Sequence, residues 1–255
     1  MLEVRELSKL FGGFRALHGV SFDVAKGEIL GLIGPNGSGK TTLFNCIAGA
    51  LTPSGGSIRF QGREIGGLTP DRICALGIGR TFQIPRPFRK LSILENVTLA
   101  AYFGHGGHAG HGGHGAHSGA VSAGAARDRA RQMLELVRLP VDADARPGRL
   151  GAGGLKKLEL ARALATSPAL LLADESLGGL DVDEMRQAAE SLQRIRAEMG
   201  ITIIWVEHIM ATLMRVVDRV MVLDHGEKIA EGRPREVAAD PRVVEAYLGE
   251  RIVLT

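Results

Sequence analysis

The stretch Gly34-Pro35-Asn36-Gly37-Ser38-Gly39-Lys40-Thr41 constrains this chain more than any other. It is G-x-x-x-x-G-K-T, the pattern of a phosphate-binding loop. Such a loop needs a strand before it and a helix after it, and the neighbours supply both. Glu28–Ile33 (EILGLI) is a short apolar run that reads as a buried strand. Behind the loop, Leu43, Phe44, Ile47 and Leu51 recur at helical spacing. The glycines let successive backbone N–H groups converge on one concavity that binds anions. The helix start adds unpaired donors and the positive end of its dipole. Lys40 brings a point charge for β- and γ-phosphate oxygens, and the Thr41 hydroxyl brings a Mg²⁺ ligand. Thr42 continues the same binding run into the helix. Nucleoside triphosphate binding follows from this stretch, and its purpose has to be read elsewhere.

The chain's 255 residues suffice for a substantial core in one or two domains. A formal net charge of +3, with no Lys/Arg run of five or more, gives no footprint for nucleic acid. Cys46 and Cys74 lie far apart in apolar periodic segments, which disfavours a disulfide framework and fits a reducing compartment. Charges interrupt the opening MLEVRELSKL, so it does not read as a signal peptide. No run of about 18 apolar residues occurs, so any membrane role is expected through a partner.

Leu2–Leu7, Val20–Val24 and Glu28–Ile33 read as strands, with Lys26-Gly27 as a tight turn before the last. Ser57–Phe60, Gln61-Gly62 and Arg63–Ile65 read as a hairpin, and Ile78–Gln83 as a strand. A helix starts at Thr69/Pro70 and stops at Gly77. Ser92-Ile93-Leu94-Glu95 is a capping box ahead of the helix Val97–Tyr102. Helical pattern resumes over Arg127–Arg138, Leu155–Thr166 and Asp181–Met199, the last with Gly200 just past its end. Ala169–Ala173 and Ile201–Val206 are further buried strands. Val220–Leu223 and Lys228–Ala230 flank the turn Asp224-His225-Gly226-Glu227, and two short helices near Arg235–Ala239 and Val243–Leu248 follow. Alternating buried strands and helices predict an α/β fold with a mostly parallel sheet.

Between the capped helix and Arg127 the composition changes. Residues 104–119 read GHGGHAGHGGHGAHSG, and small residues continue to about Ala126. His105, His108, His111, His114 and His117 recur every third position. Each Gly costs about 1 kcal/mol relative to Ala in a helix, so none is expected here. A surface loop is one reading, and weak, labile metal binding is the other. In an extended chain with three residues per turn, successive rings stand about 9 Å apart. A tetrahedral ion needs its ligands within about 2.1 Å, so the loop would have to curl.

A second constellation sits at Leu170-Leu171-Leu172-Ala173-Asp174-Glu175, an apolar strand ending in two acids. Asp174 is placed to hold Mg²⁺, directly or through water. Glu175 follows at the strand tip, where a carboxylate can act as general base on water.

With both constellations in hand, the chain resembles an ATP-binding-cassette (ABC) ATPase over nearly all its length. The resemblance implies an α/β nucleotide-triphosphatase core, an N-terminal antiparallel β-subdomain (about 1–32 and 57–65) and a helical signature subdomain (about 88–165). The latter would carry the His/Gly-rich insert 104–124, and a C-terminal helical extension would span 233–255, all within one domain of 255 residues. Gln83 in RTFQ matches the family's strand-tip glutamine, which meets the transmembrane subunit and the Mg²⁺ shell. Phe11 in FGGF matches the adenine-stacking aromatic. Asp174 and Glu175 match the acid pair, Asp181 the aspartate ending the loop after them, and His208 in WVEHIM the switch histidine. The family signature LSGGQ is departed from: here it is Leu150-Gly151-Ala152-Gly153-Gly154. Gly151 lacks the serine hydroxyl that meets the γ-phosphate held by the opposite subunit, while Gly153 still permits close backbone approach. A weakened signature half-site is expected, tolerable if the partner cassette is a different chain.

RTFQIPRPFRKLSILENV and RVMVLDHGEKIAEGRPREVAADPRVVEAYLG look like the ATPase subunits of branched-chain amino acid importers, most like the RTFQ-carrying member of the pair. The resemblance implies ATP and Mg²⁺ as cofactors, a second cassette and two permease subunits as partners, and indirectly a solute-binding protein. It places the chain at the cytoplasmic face of the cell membrane. Related systems carry urea or short amides. A soluble cassette in translation or DNA repair is the alternative within the family. It would have no coiled-coil insert or basic arm here to support it. A P-loop kinase or regulatory GTPase is the alternative outside it. That reading is opposed by Glu175 directly after Asp174 and by the lack of a guanine-reading motif.

Overall fold

Long apolar–polar alternation at the N-terminus forms two strands longer than the sequence predicts. In the computed structural model, which describes residues 1–105, 121–139, 142–174, 182–207 and 213–248, β1 (Leu2–Phe11) and β2 (Phe14–Val24) pair antiparallel from Leu2/Val24 to Phe11/Phe14. Gly12, at φ +57, turns the chain between them. The far edge of β1 pairs with β4 (Gly55–Phe60), which pairs with β5 (Arg63–Glu64) across Gln61-Gly62. Both turn residues take positive φ, as a two-residue hairpin of matching twist requires.

The strand before the phosphate loop, β3 (Ile29–Ile33), corrects one expected boundary. It does not join the antiparallel sheet, which the sequence extends to about residue 32. It lies between β8 (Thr202–Val206) and β9 (Arg219–Asp224), parallel to both. All five residues of β3 and all five of β8 are buried, the mark of strands covered on both faces. The antiparallel sheet therefore takes only residues 2–24 and 55–64. Gly31 has a packing reason: a Cβ there would stand 2.5 Å from Leu213 Cδ2. Beyond β9, β10 (Glu227–Gly232) returns antiparallel, and α7 (Pro234–Ala238) and α8 (Pro241–Leu248) follow. The helix after the loop, α1 (Lys40–Ile47), buries Leu43, Phe44 and Ile47.

The expected single domain resolves into two compact units, residues 1–70 with those from Thr202 onward, and Asp71–Ile201. In the second, β6 (Ile78–Arg80) pairs parallel with β7 (Leu170–Asp174), Ile78 opposite Leu170 and Arg80 opposite Leu172. The predicted strand Ile78–Gln83 thus ends early, and Gln83 lies in a bend. α2 (Pro70–Ala75) stops before Gly77, at φ +102. The helices α3 (Ile93–Phe103), α4 (Ala123–Leu136) and α5 (Ala152–Ala165) pack together over Val97, Ala101, Ala130, Met133, Leu158 and Ala161. Ser92 and Glu95 form the capping box in both directions. A second cap was not foreseen: Ser122 Oγ accepts from Ala125 N–H, so α4 begins at Ala123 rather than Arg127, and inside the expected insert 104–124. α6 (Val182–Met199) ends at Gly200, φ +64, with Ala189, Leu192 and Ile195 buried.

His105, the first histidine of the tract, is engaged. Its N–H donates to the Thr166 carbonyl at 2.7 Å, and its ring nitrogen Nδ1 lies 2.7 Å from the Ala75 carbonyl. His108, His111, His114 and His117 lie outside the described residues.

Candidate functional site

The phosphate loop takes the backbone path its glycines allow. Gly34, Gly37 and Gly39 have φ of +152, +83 and +103. At Gly34 there is no room for a side chain, since a Cβ would sit 2.1 Å from the Leu223 carbonyl oxygen and 2.6 Å from Ser38 Oγ. Lys40, 7% exposed, folds back into the loop. Its Nζ donates to the carbonyls of Gly34 at 2.8 Å and Pro35 at 2.9 Å. A buried ammonium needs such acceptors, and an anion entering the loop can replace them. Gly39 caps α1 without any side-chain hydrogen bond, so no capping side chain occupies the donors of the first turn. Thr41 is exposed and Thr42 half-buried on that turn.

Two neighbouring elements fasten the loop. In the hairpin turn after β9, His225 and Gly226 take φ of +45 and +82. Gly226 N–H donates to the Ser38 carbonyl at 3.0 Å, and the Gly226 carbonyl accepts from His18 N–H on β2 at 2.8 Å. The sequence gives this hairpin turn but not its function as a strut between β2 and the loop. β2 passes close enough that a Cβ on Gly39 would meet the Ala16 carbonyl at 2.9 Å. Phe11 and Phe14 pair across the tip of the same hairpin, 46% and 67% exposed. The family pattern points to Phe11 alone; Phe14 stands opposite it and shares its exposure. Lys9 Nζ lies 5.2 Å from the Phe11 ring centroid.

A cavity of about 700 Å³ opens beside the loop. Pro35, Asn36 and Gly37 line it, with His225 and, from α8, Arg242 and Glu245. No sequence motif marks a site residue on that C-terminal helix. Burial pushes the Tyr247 phenol on α8 up from its ordinary pKa, with the Gly34 backbone pulling the other way.

In the second unit Asp174 closes β7, 5% exposed. Its N–H donates to Thr81 Oγ1 at 3.0 Å, and its Oδ2 accepts from Arg80 Nη2 at 3.0 Å. The sequence foresees the carboxylate and misses its arginine partner. Gln83 is exposed three residues on, within a stretch where Phe82, Ile84 and Phe88 are 51%, 68% and 48% exposed. The Arg80 guanidinium stacks on Phe82, and that of Arg162 on Phe88, each 5.2 Å from the ring centroid.

The signature stretch begins a helix rather than preceding one. Gly151 is the N-cap of α5, extended at φ −71, ψ 179, and Gly153 and Gly154 form its first turn. A Cβ at position 151 meets nothing within 4 Å. At position 154 it would meet Leu150 at 3.1 Å, so a glutamine there requires Leu150 to shift. The missing serine thus has open room, while the missing glutamine would need Leu150 to give by a few tenths of an ångström. Gly151→Ser is expected to stabilise the cassette by only a few tenths of a kcal/mol through the restored cap, read as a slightly higher denaturant midpoint. No gain would show that the new hydroxyl does not reach the α5 N–H groups.

Glu175, Asp181 and His208 lie outside the described residues. The donors described for a cation, Thr41 Oγ1, the Asp174 carboxylate and the Gln83 amide oxygen, are hard oxygens of the kind Mg²⁺ takes. Among the described residues no cluster of three or more His, Cys, Asp or Glu is placed to hold a metal ion.

Residues 17–178, more than half the chain, match the model of the ABC transporter family. Residues 227–252 match that of the branched-chain amino acid ATP-binding cassette transporter. The chain is 36% identical over 250 residues to the high-affinity branched-chain amino acid transport ATP-binding protein LivG of Salmonella typhimurium, covering 98% of each. The same figures hold for BraF of Pseudomonas aeruginosa. A solved ATP-binding cassette of an ABC transporter in its ADP conformation superposes with a TM-score of 0.84 and 32% identity, covering 98% of this chain and 99% of that one. The chain belongs to the ABC transporter family and is an ABC-type ATPase. Within that family its relatives are branched-chain amino acid transport ATP-binding proteins, and its C-terminal segment is of their type.

Proposed function

We propose that this chain is the ATP-hydrolysing subunit of an importer for branched-chain amino acids or a related small polar solute such as urea or a short amide. The observation that carries the reading is the phosphate loop, with Lys40 held at 2.8–2.9 Å by its carbonyls, in a chain matched along 98% of its length by such subunits. No helix among the described residues is long and apolar enough to cross a membrane. Membrane association, on the cytoplasmic face, is assigned to partners because the relatives are transport ATP-binding proteins.

On ATP binding, Lys40 exchanges the Gly34 and Pro35 carbonyls for β- and γ-phosphate oxygens, and the first-turn N–H groups of α1 take the remaining charge. Phe11 stacks on the adenine. Thr41, Asp174 and Gln83 would hold Mg²⁺, which when bound would supply positive charge against the phosphoryl oxygens. Glu175 takes a proton from the attacking water, His208 senses the γ-phosphate, and Asp181 borders the site. The second half of each site comes from the signature of another cassette. Because this chain offers Gly151 where a serine would serve, the partner is a different chain with an intact signature. The exposed Phe82, Ile84 and Phe88 around Gln83 give the permease an apolar face. Closure on ATP and reopening after hydrolysis move the two permeases, which receive solute from a binding protein.

Purification of the tagged chain from detergent-solubilised membranes tests this. A second cassette and two polytopic membrane subunits are expected to follow it. Recovery from the soluble fraction with no membrane subunit would favour the non-transport cassette.

A further inference from the structure

Arg80 answers to none of the functions so far assigned, yet it occupies a guarded place. The parallel pair β6–β7 brings it level with Leu172, two residues before Asp174. Thr81 N–H donates to the Leu172 carbonyl at 2.9 Å, and Asp174 N–H returns to Thr81 Oγ1 at 3.0 Å. These bonds fix the end of β7 against the Arg80-Thr81 segment. Arg80 Nη2 then meets Asp174 Oδ2 at 3.0 Å, with the two side chains only 10% and 6% exposed. The guanidinium also lies over the Phe82 ring, 5.2 Å from its centroid. A carboxylate this buried is costly without a counter-charge, and the arginine supplies one when no metal is bound.

A cation already on the carboxylate has a consequence for a second one. Two positive charges sharing one anion repel, and at this burial the repulsion is weakly screened. We propose that Arg80 is a positioning residue that serves as the resident counter-cation of Asp174, competing with the divalent ion and so holding down the affinity of the nucleotide site for Mg²⁺. The proposal rests on the reading of Asp174 as a Mg²⁺ ligand. It makes a charge prediction opposite to that of a merely structural arginine. Loss of a structural arginine would disorder Asp174 and weaken the metal. Loss of a competing cation tightens it.

The test uses Mn²⁺ as a paramagnetic probe for the metal, titrated against the purified full chain with saturating ADP. Arg80→Gln and Arg80→Met are expected to tighten Mn²⁺ by roughly 3- to 10-fold, while Arg80→Lys stays within about twofold of the parent. If either neutral variant unfolds without metal, the Mn²⁺ concentration that restores its folded melting transition at saturating ADP, set against the Mn²⁺ dependence of the parent's melting temperature, reads the same tightening by linkage. Mn²⁺ affinity unchanged or weakened in the neutral variants, or no recovery of fold, overturns the proposal. Asp174→Asn is titrated alongside. If it binds Mn²⁺ as the parent does, the reading of Asp174 as a ligand fails too. If it weakens Mn²⁺ while Arg80→Gln tightens nothing, the inference about Arg80 alone falls.

Discussion

Lys40→Ala is expected to lower kcat/KM for ATP by roughly 10²–10³-fold, the scale for removing one preorganised charge from a developing oxyanion. Lys40 is 7% exposed, and its ammonium is held by the Gly34 and Pro35 carbonyls. Without it, those carbonyls face the incoming phosphates with their negative ends. The packing of α1 rests on Leu43, Phe44 and Ile47, each buried, so the variant is expected to fold. ATPase assays beside a thermal melt check both halves. A variant that melts like the parent and hydrolyses ATP at the parent rate would remove Lys40 from the site.

Glu175→Gln should separate binding from chemistry. The amide keeps the size of the side chain and loses the ability to take a proton. Removal of a general base costs about 10²–10⁴-fold in turnover, and ATP affinity is expected to remain. Slow hydrolysis then leaves ATP sandwiched between two cassettes. Size-exclusion chromatography with ATP should show the closed pair of cassettes in the variant and its loss when ATP is withdrawn. Unchanged turnover would mean that another group activates the water.

Much of this site was legible because its signals are local. Gly34–Thr41 is read from eight consecutive residues, and the backbone conformations they need are present at Gly34, Gly37 and Gly39. The Ser92–Glu95 box and the Gly200 terminus are likewise one-turn motifs, and both hold. What escaped were matters of pairing. The sequence does not place β3 in its sheet, because an apolar pentapeptide does not say which neighbours cover it; β8 and β9 lie more than 160 residues away in sequence. Arg80 and Asp174 are 94 positions apart, and nothing near either one announces the other. The FGGF stretch offers an aromatic in sequence, while the structure makes it the hairpin tip that aligns Phe11 with Phe14. α4 starts early because one hydroxyl, Ser122 Oγ, outweighs the small-residue composition around it. The approach of α8 to the phosphate loop also depends on tertiary packing, which no periodicity in Pro241–Leu248 encodes.

The central claim is that ATP hydrolysis on this loop drives solute import. The most direct measurement is uptake of labelled leucine, isoleucine or valine by proteoliposomes holding this chain with its copurified cassette and permeases, the solute-binding protein added outside and ATP enclosed with the cassettes. The account predicts accumulation that requires ATP and disappears with Lys40→Ala. ATP hydrolysis by the complex without uptake of any of these solutes, urea or short amides, or uptake that survives Lys40→Ala, would contradict it.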